Sequence, residues 1–223
     1  MNVLAIDTST ETLALAAQRG DSWASLCLRR GLQHSSGLLP LAEGLLKELG
    51  MNASDLELLV CARGPGSFTG IRIGLATAMG ISYGRGIPLV GVATLDAIAL
   101  PWAAYEGDVC AVLDARKGKY YAALFRGGAL QGTYRDVSPV ELAQLLAAAD
   151  RPLLAGPDAP RIGAALGEAA PGKAARRVTC TDFFDPRSLL RIGVQHFGEK
   201  GADPSSLQPL YLRKSEAEIA SGL

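Results

Sequence analysis

Leu4-Ala5-Ile6-Asp7 is an apolar run that ends on an acid, and a second run, Leu13-Ala14-Leu15-Ala16, begins six residues after that acid. Ala111-Val112-Leu113-Asp114 ends in the same way, and Tyr120-Tyr121-Ala122-Ala123 again begins six residues on. A short apolar run is the signature of a buried strand, and an acid with turn residues behind it is the signature of a hairpin. The two copies therefore predict that a strand-rich plan occurs twice in one chain.

Outward from these strands the pattern extends in the same order on both sides. The first half reads as strands at Asn2 to Ile6, near Thr12 to Gln18 and near Ser22 to Leu28. A helix follows from about Gly37 to Leu49, with Ser35 or Ser36 as cap and Gly50 as stop. Next come a buried strand at Leu58 to Ala62, a helix from about Gly70 to Tyr83, a strand at Pro88 to Val92 and a helix starting near Thr94. The second half reads as strands at Val109 to Leu113, Tyr120 to Phe125 and Leu130 to Tyr134. Ser138-Pro139-Val140-Glu141 then supplies an N-cap, a first-turn proline and a capping-box acid. Leu153 to Ala155, a helix near Arg161 to Ala169, Arg177 to Cys180 and a helix from Asp185-Pro186 to about Lys200 complete it. Each half is βββαβαβα, which predicts a duplicated actin-like ATPase (ASKHA, RNase H-like) α/β fold with lobes at 1–106 and 107–223. Two unrelated α/β modules in tandem would give the same element count.

Composition narrows the function. With 48% hydrophobic and 20% charged residues the chain has the makings of globular cores. Lys+Arg 22 balances Asp+Glu 22, so the chain lacks the excess of positive charge that a stand-alone nucleic-acid binder uses. Cys27, Cys61, Cys110 and Cys180 form no CxxC pair, and neither His34 nor His196 has a second His or a Cys at helical or CxxC spacing, so no metal motif is present. The N-terminus has no basic region and meets Asp7 early, which predicts neither a signal peptide nor a membrane span and makes the cytoplasm the expected compartment.

Two constellations remain. Arg63-Gly64-Pro65-Gly66-Ser67-Phe68-Thr69-Gly70-Ile71-Arg72-Ile73-Gly74 opens a helix but matches neither GxGxxG nor a Walker loop, and Ser67 is not in a GxSxG elbow. Its helix carries small residues at Gly70, Gly74, Ala78 and Ser82, four apart and on one face. Such a stripe calls for close packing, either on the Gly37 to Leu49 helix or also across a subunit boundary. The leucines of that first helix cover more than one stripe, which favours two contacts for it. The candidate interface is therefore Leu38, Leu41, Leu45, Gly70, Ile71, Gly74, Ala78 and Ser82, with Gly74→Leu expected to abolish pairing in a chain that still folds. The second constellation is Asp7, Thr8, Ser9 and Thr10 with Asp114, a candidate magnesium-nucleotide site that lacks glycine beside the first acid. The alternative for Asp7 is a cap on its own hairpin.

Asp7-Thr8-Ser9, His34-Ser35-Ser36-Gly37-Leu38-Leu39-Pro40, the Arg63 to Gly74 segment, Asp114-Ala115-Arg116-Lys117-Gly118 and Pro209-Leu210-Tyr211-Leu212-Arg213 together resemble the TsaB (YeaZ) family. The resemblance implies the duplicated actin-like fold and a part in bacterial synthesis of threonylcarbamoyladenosine, beside the anticodon of tRNAs reading codons that start with A. It implies a non-catalytic subunit that pairs through this helix region with the catalytic paralogue TsaD, joined by the ATPase TsaE, and that forms a homodimer when alone. The paralogue's HxxxH metal ligands would fall at Thr94 and Ile98, and an alkyl side chain cannot coordinate a metal. No cofactor of its own is expected, with ATP or ADP placed at the complex with partners. Contact with tRNA would be indirect, with Arg116, Lys117, Lys119, Arg213 and Lys214 as local contributors. The competing reading is an actin-like ATPase or kinase using Asp7 and Asp114.

Overall fold

The computed structural model describes residues 1–29, 34–169, 179–182, 184–203 and 207–213, and the chain divides into two compact units. The first contains Met1–Ala97 and Asp185–Leu210. Its strands are β1 (Asn2–Asp7), β2 (Thr12–Arg19), β3 (Ser22–Arg29), β4 (Leu58–Ala62) and β5 (Leu89–Val92), in the order β3-β2-β1-β4-β5. Strands β1, β2 and β3 pair antiparallel through tight hairpins, whereas β4 runs parallel to β1 and β5 parallel to β4. A parallel pair needs a crossover, and α1 (Ser35–Glu48) and α2 (Phe68–Arg85) supply the two required.

Val3, Leu4, Ala5 and Ile6 are all buried, so β1 is covered on both faces. Adjacent residues of β4 show how. A Cβ on Gly74 of α2 would lie 3.5 Å from Cys61 Sγ, while a Cβ on Gly193 of α6 (Pro186–Lys200) would press on the Val60 side chain. Successive strand residues point to opposite faces, so α2 and α6 sandwich the sheet. The last helix of the second sequence repeat thus packs on the first sheet. The expected lobe boundary at 106/107 is corrected accordingly, because the apolar stripe of α6, Leu189, Leu190 and Gly193, is buried within the first unit.

The second unit contains Ile98–Phe184 and the chain from Tyr211. Strands β6 (Asp108–Asp114), β7 (Tyr120–Arg126), β8 (Ala129–Val137), β9 (Leu153–Ala155) and β10 (Thr179–Thr181) are ordered β10-β9-β6-β7-β8, the same plan as the first sheet. The repeat predicted from the two acid-ended strands is therefore a repeat of topology, and the chain has the duplicated actin-like ATPase fold. Helix α3 (Thr94–Ala99) spans the division between the units, and α4 (Pro139–Ala148) and α5 (Ala159–Ala169) complete the set. Leu142, Leu146, Ile162 and Leu166 of α4 and α5 close over Cys110, Val112, Ala122 and Leu154. At the head of β6, Asp108 takes two hydrogen bonds from Arg126, at 2.7 and 2.8 Å, which hold its carboxyl below the usual range.

Caps follow the sequence closely. Ser138 Oγ accepts from Glu141 N at 3.3 Å, and Glu141 Oε2 accepts from Ser138 N at 2.7 Å. Asp185 opens α6 by accepting from Arg187 N at 3.0 Å. Helix α1 departs from expectation: neither Ser35 nor Ser36 caps it, His34 holds the N-cap position without a side-chain cap, and Pro40 lies inside the helix. The expected strand at Arg177 to Cys180 falls partly on residues 177 and 178, outside the described residues, as does Lys214.

Candidate partner interface and the two strand-end acids

Helix α2 has two rows of small residues, and the fold uses them differently. Gly70, Gly74 and Ala78 are buried, as are Ile71 and Leu75. A Cβ at Gly70 would overlap the carbonyl oxygen of Thr8, and one at Gly74 would overlap Thr8 Oγ1. At Gly70 and Gly74 this stripe meets the chain's own β1–β2 turn, and Ile71 and Ala78 are buried on the same helix. The assignment of Gly70, Ile71, Gly74 and Ala78 to a partner surface is corrected on that ground. On α1, Leu38 and Leu45 are buried too and hold the helix to its own unit, which corrects them likewise. Leu41 and Ser82 are half-buried, and the Ser82 hydroxyl donates to the Ile87 carbonyl at 2.6 Å.

The other row of α2 is open. Arg72, Ala76, Gly80 and Gly84 are exposed at four-residue spacing, and a Cβ at Gly80 or Gly84 would meet no atom within 4 Å. Beside it α1 exposes Leu39, Pro40, Glu43, Gly44 and Lys47. Between the helices lies a groove of about 470 Å³ walled by Leu39, Leu46, Leu56, Gly80 and Gly84, with Glu43 and Arg85 at its polar margin. Leu39 is 50% exposed and Tyr83 92% exposed, uncommon for side chains of their size. Gly80 was visible in the sequence only as an interior glycine. Its row was legible as a second i, i+4 series, and Arg72 at its head is the one local sign that sets that series apart from the buried one.

The β1–β2 turn is closed around Asp7. Its Oδ1 accepts from Ser9 N at 2.7 Å and from Ser9 Oγ at 2.6 Å, and Thr94 Oγ1 donates to Ser9 Oγ at 3.0 Å. Thr8 Oγ1 donates to the Gly70 carbonyl at 2.7 Å, and Ser67 N donates to the Ser9 carbonyl at 2.7 Å. Thr10 Oγ1 accepts from Thr12 N at 3.1 Å, while the Thr10 carbonyl accepts from His34 Nε2 at 2.8 Å. The hydroxyls expected to face a phosphate thus bond inward, and Asp7 caps its own hairpin. Ser67, the turn serine, accepts from Gly70 N at 3.2 Å as N-cap of α2.

In the second unit Asp114 accepts from Arg116 N at 2.8 Å and from Arg161 Nη2 at 2.8 Å, while its own N–H donates to Asp158 Oδ2 at 3.0 Å. Arg213 forks onto Asp136 at 3.0 and 2.8 Å, and Lys119 Nζ lies 3.7 Å from the same carboxylate, so two of the expected tRNA-facing cations are paired. Thr94 and Ile98 are fully buried, and among the described residues no group of three His, Cys, Asp or Glu side chains is placed to hold a metal. Burial pushes the Cys110 thiol up to about 12, which leaves little thiolate at neutral pH. Among the described residues no helix is long and apolar enough to cross a membrane.

Asp7 is 2% exposed, and burial raises its carboxyl above the ordinary value against the opposing hydrogen bonds from Ser9. A carboxyl raised in the folded state lends its full stability below the unfolded pKa and loses it as pH climbs through the folded one. Asp7→Asn keeps an oxygen for Ser9 and cannot ionise. Its melting temperature is expected to exceed that of the unmodified chain at pH 7, with the gap closing towards pH 4. Melts of both proteins across that range measure the difference, and a variant equally destabilised at every pH would refute the burial argument.

A family model described as TsaD, tRNA N6-adenosine threonylcarbamoyltransferase, matches residues 31–138. The chain is 31% identical to the Bacillus subtilis tRNA threonylcarbamoyladenosine biosynthesis protein TsaB, over 98% of this chain and 96% of that protein. The chain belongs to the TsaB (YeaZ) family. The Escherichia coli TsaB is 37% identical over 56% of this chain and 55% of its own length. Among solved structures, YeaZ from Pseudomonas aeruginosa superposes with a TM-score of 0.79 at 27% identity, covering 95% of this chain and 99% of that one. Family and fold agree with the resemblance drawn from the five sequence segments.

Proposed function

We propose that this chain is a non-catalytic subunit in the synthesis of threonylcarbamoyladenosine on tRNA, next to the anticodon of tRNAs reading codons that start with A. Its role is to dock the outer faces of α1 and α2 on a catalytic subunit of the TsaD kind and support that subunit's active geometry. The observation that carries the reading is the open α1–α2 groove, lined by Gly80, Gly84 and the half-exposed Leu39, on a helix that also exposes Tyr83. Small residues let a partner's backbone come near, and burying the flanking apolar area contributes roughly 25 cal/mol per Å² before the costs of association. The inward hydrogen bonds of Asp7, Thr8 and Ser9, and the pairing of Asp114 with Arg161, support a chain with no nucleotide chemistry of its own. ATP or ADP then belongs with the partners, a TsaE-type ATPase among them, tRNA is met through the complex, and the same face pairs two copies when no partner is present.

Reconstitution with purified components tests this. The chain alone, with magnesium ATP and tRNA, is expected to modify nothing and to give no nucleotide-binding heat in calorimetry. Omitting it from the full mixture is expected to lower modification by at least ten-fold. Turnover by the isolated chain, or full modification without it, would overturn the proposal.

A further inference from the structure

Trp23 lies beside α6, the helix on the side of the first sheet opposite α2, and the α1–α2 face does not account for it. It is 52% exposed, on the edge strand β3 of the first unit. The Arg187 guanidinium lies 4.0 Å from the centre of its ring. That guanidinium is itself fixed by Asp185, whose carboxylate accepts from Arg187 Nε at 3.0 Å and lies 2.8 Å from Nη2. Arg191 follows one helical turn along the same side of α6, exposed and paired with no carboxylate among the described residues. Alternation along β3 puts Ser25, Cys27 and Arg29 on the Trp23 face, and all three are exposed.

We infer that the Trp23–Arg187–Arg191 patch is a contact for RNA, in which an unpaired base stacks on the Trp23–Arg187 pair and Arg191 meets a backbone phosphate. The inference deepens the proposed function and rests on its tRNA reading. Three features favour RNA over a protein partner. The neighbours of Trp23 along its strand face, Ser25, Cys27 and Arg29, are polar, sulfhydryl or cationic, unlike the apolar side chains that rim a protein hot spot. Stacked aromatic and guanidinium planes are the usual receptors for splayed bases. The Asp185 clamp fixes the arginine plane before any ligand arrives, which lowers the ordering cost of binding.

The first test uses the reconstituted complex of this chain with its catalytic partner and full-length tRNA. Trp23→Ala is expected to weaken tRNA affinity about ten-fold, and Trp23→Phe to retain most of it. Arg191→Ala is expected to reduce the slope of log affinity against log salt by about one. Native mass should show the heterodimer intact in each variant, because the α1–α2 groove is untouched. If the unmodified chain forms no heterodimer, the docking proposal has failed, and the patch is then judged on the chain alone by quenching of Trp23 fluorescence with a stem-loop RNA, with Trp23→Phe as background. A photoreactive amino acid at position 23 should cross-link to RNA. Cross-linking to protein only, or unchanged tRNA affinity and quenching in Trp23→Ala, would overturn the inference.

Discussion

Gly74→Leu is expected to destroy the first unit and not merely its pairing with a partner. A side chain there must occupy the place of Thr8 Oγ1, which is pinned by its bond to the Gly70 carbonyl, with Cys61 Sγ close behind. Gly70→Leu should be worse, since the Cβ itself would overlap the Thr8 carbonyl oxygen, and backbone yields less readily than a side-chain tip. Overpacking a tight core costs about 1–3 kcal/mol and more where the neighbour cannot move, against a total stability of roughly 5–15 kcal/mol. We expect about 4 kcal/mol or more for either change, seen as a lowered urea midpoint or as failure to accumulate folded chain. A Gly74→Leu protein that melts within about 2 °C of the unmodified chain would show that α2 does not lie on the β1–β2 turn.

Gly80→Leu should do the opposite: leave the isolated chain folded and abolish docking. Nothing lies within 4 Å of the new Cβ, and exchanging glycine for leucine inside a helix stabilises the chain by up to about 1 kcal/mol. The leucine would stand in the groove beside Leu39 and Leu46 and take the volume a partner needs. Heterodimer affinity should fall at least 100-fold, about 2.8 kcal/mol, while the melting temperature holds or rises. Gly84→Leu should act in the same direction, and Gly80→Ala should weaken docking less. Titration calorimetry with the catalytic subunit reads the loss, and unimpaired binding by Gly80→Leu would remove the α1–α2 face from the proposal. The pair Gly74→Leu and Gly80→Leu thus separates a buried glycine row from an open one on the same helix.

Local chemistry carried much of the architecture. The apolar runs of β2 and β4, the Ser138 capping box and the Asp185-Pro186 start each rest on interactions among residues close in sequence, so they were legible in the chain. The duplicated order followed from the acid-ended strands, and the sheet topologies bear it out. The cap of α1 was misread because serine's preference for an N-cap is weak beside tertiary packing, and the buried His34 ring bonded to the Thr10 carbonyl sets the entry to that helix.

What the amino-acid sequence determined by itself was the kind and order of the elements, the family to which they belong, and the presence of an α2 helix too rich in small residues to be ordinary. Only the tertiary structure decided which side of that helix meets its own sheet, where α6 packs, and that the hydroxyls beside Asp7 turn inward. The physical reason is that Gly70-Gly74-Ala78 and Ala76-Gly80-Gly84 are alike in size and polarity, so that only Arg72, at the head of the second row, marks a side for solvent. The choice is made by the Thr8 and Ser9 backbone, more than fifty residues away in the chain, which the folded sheet holds against α2.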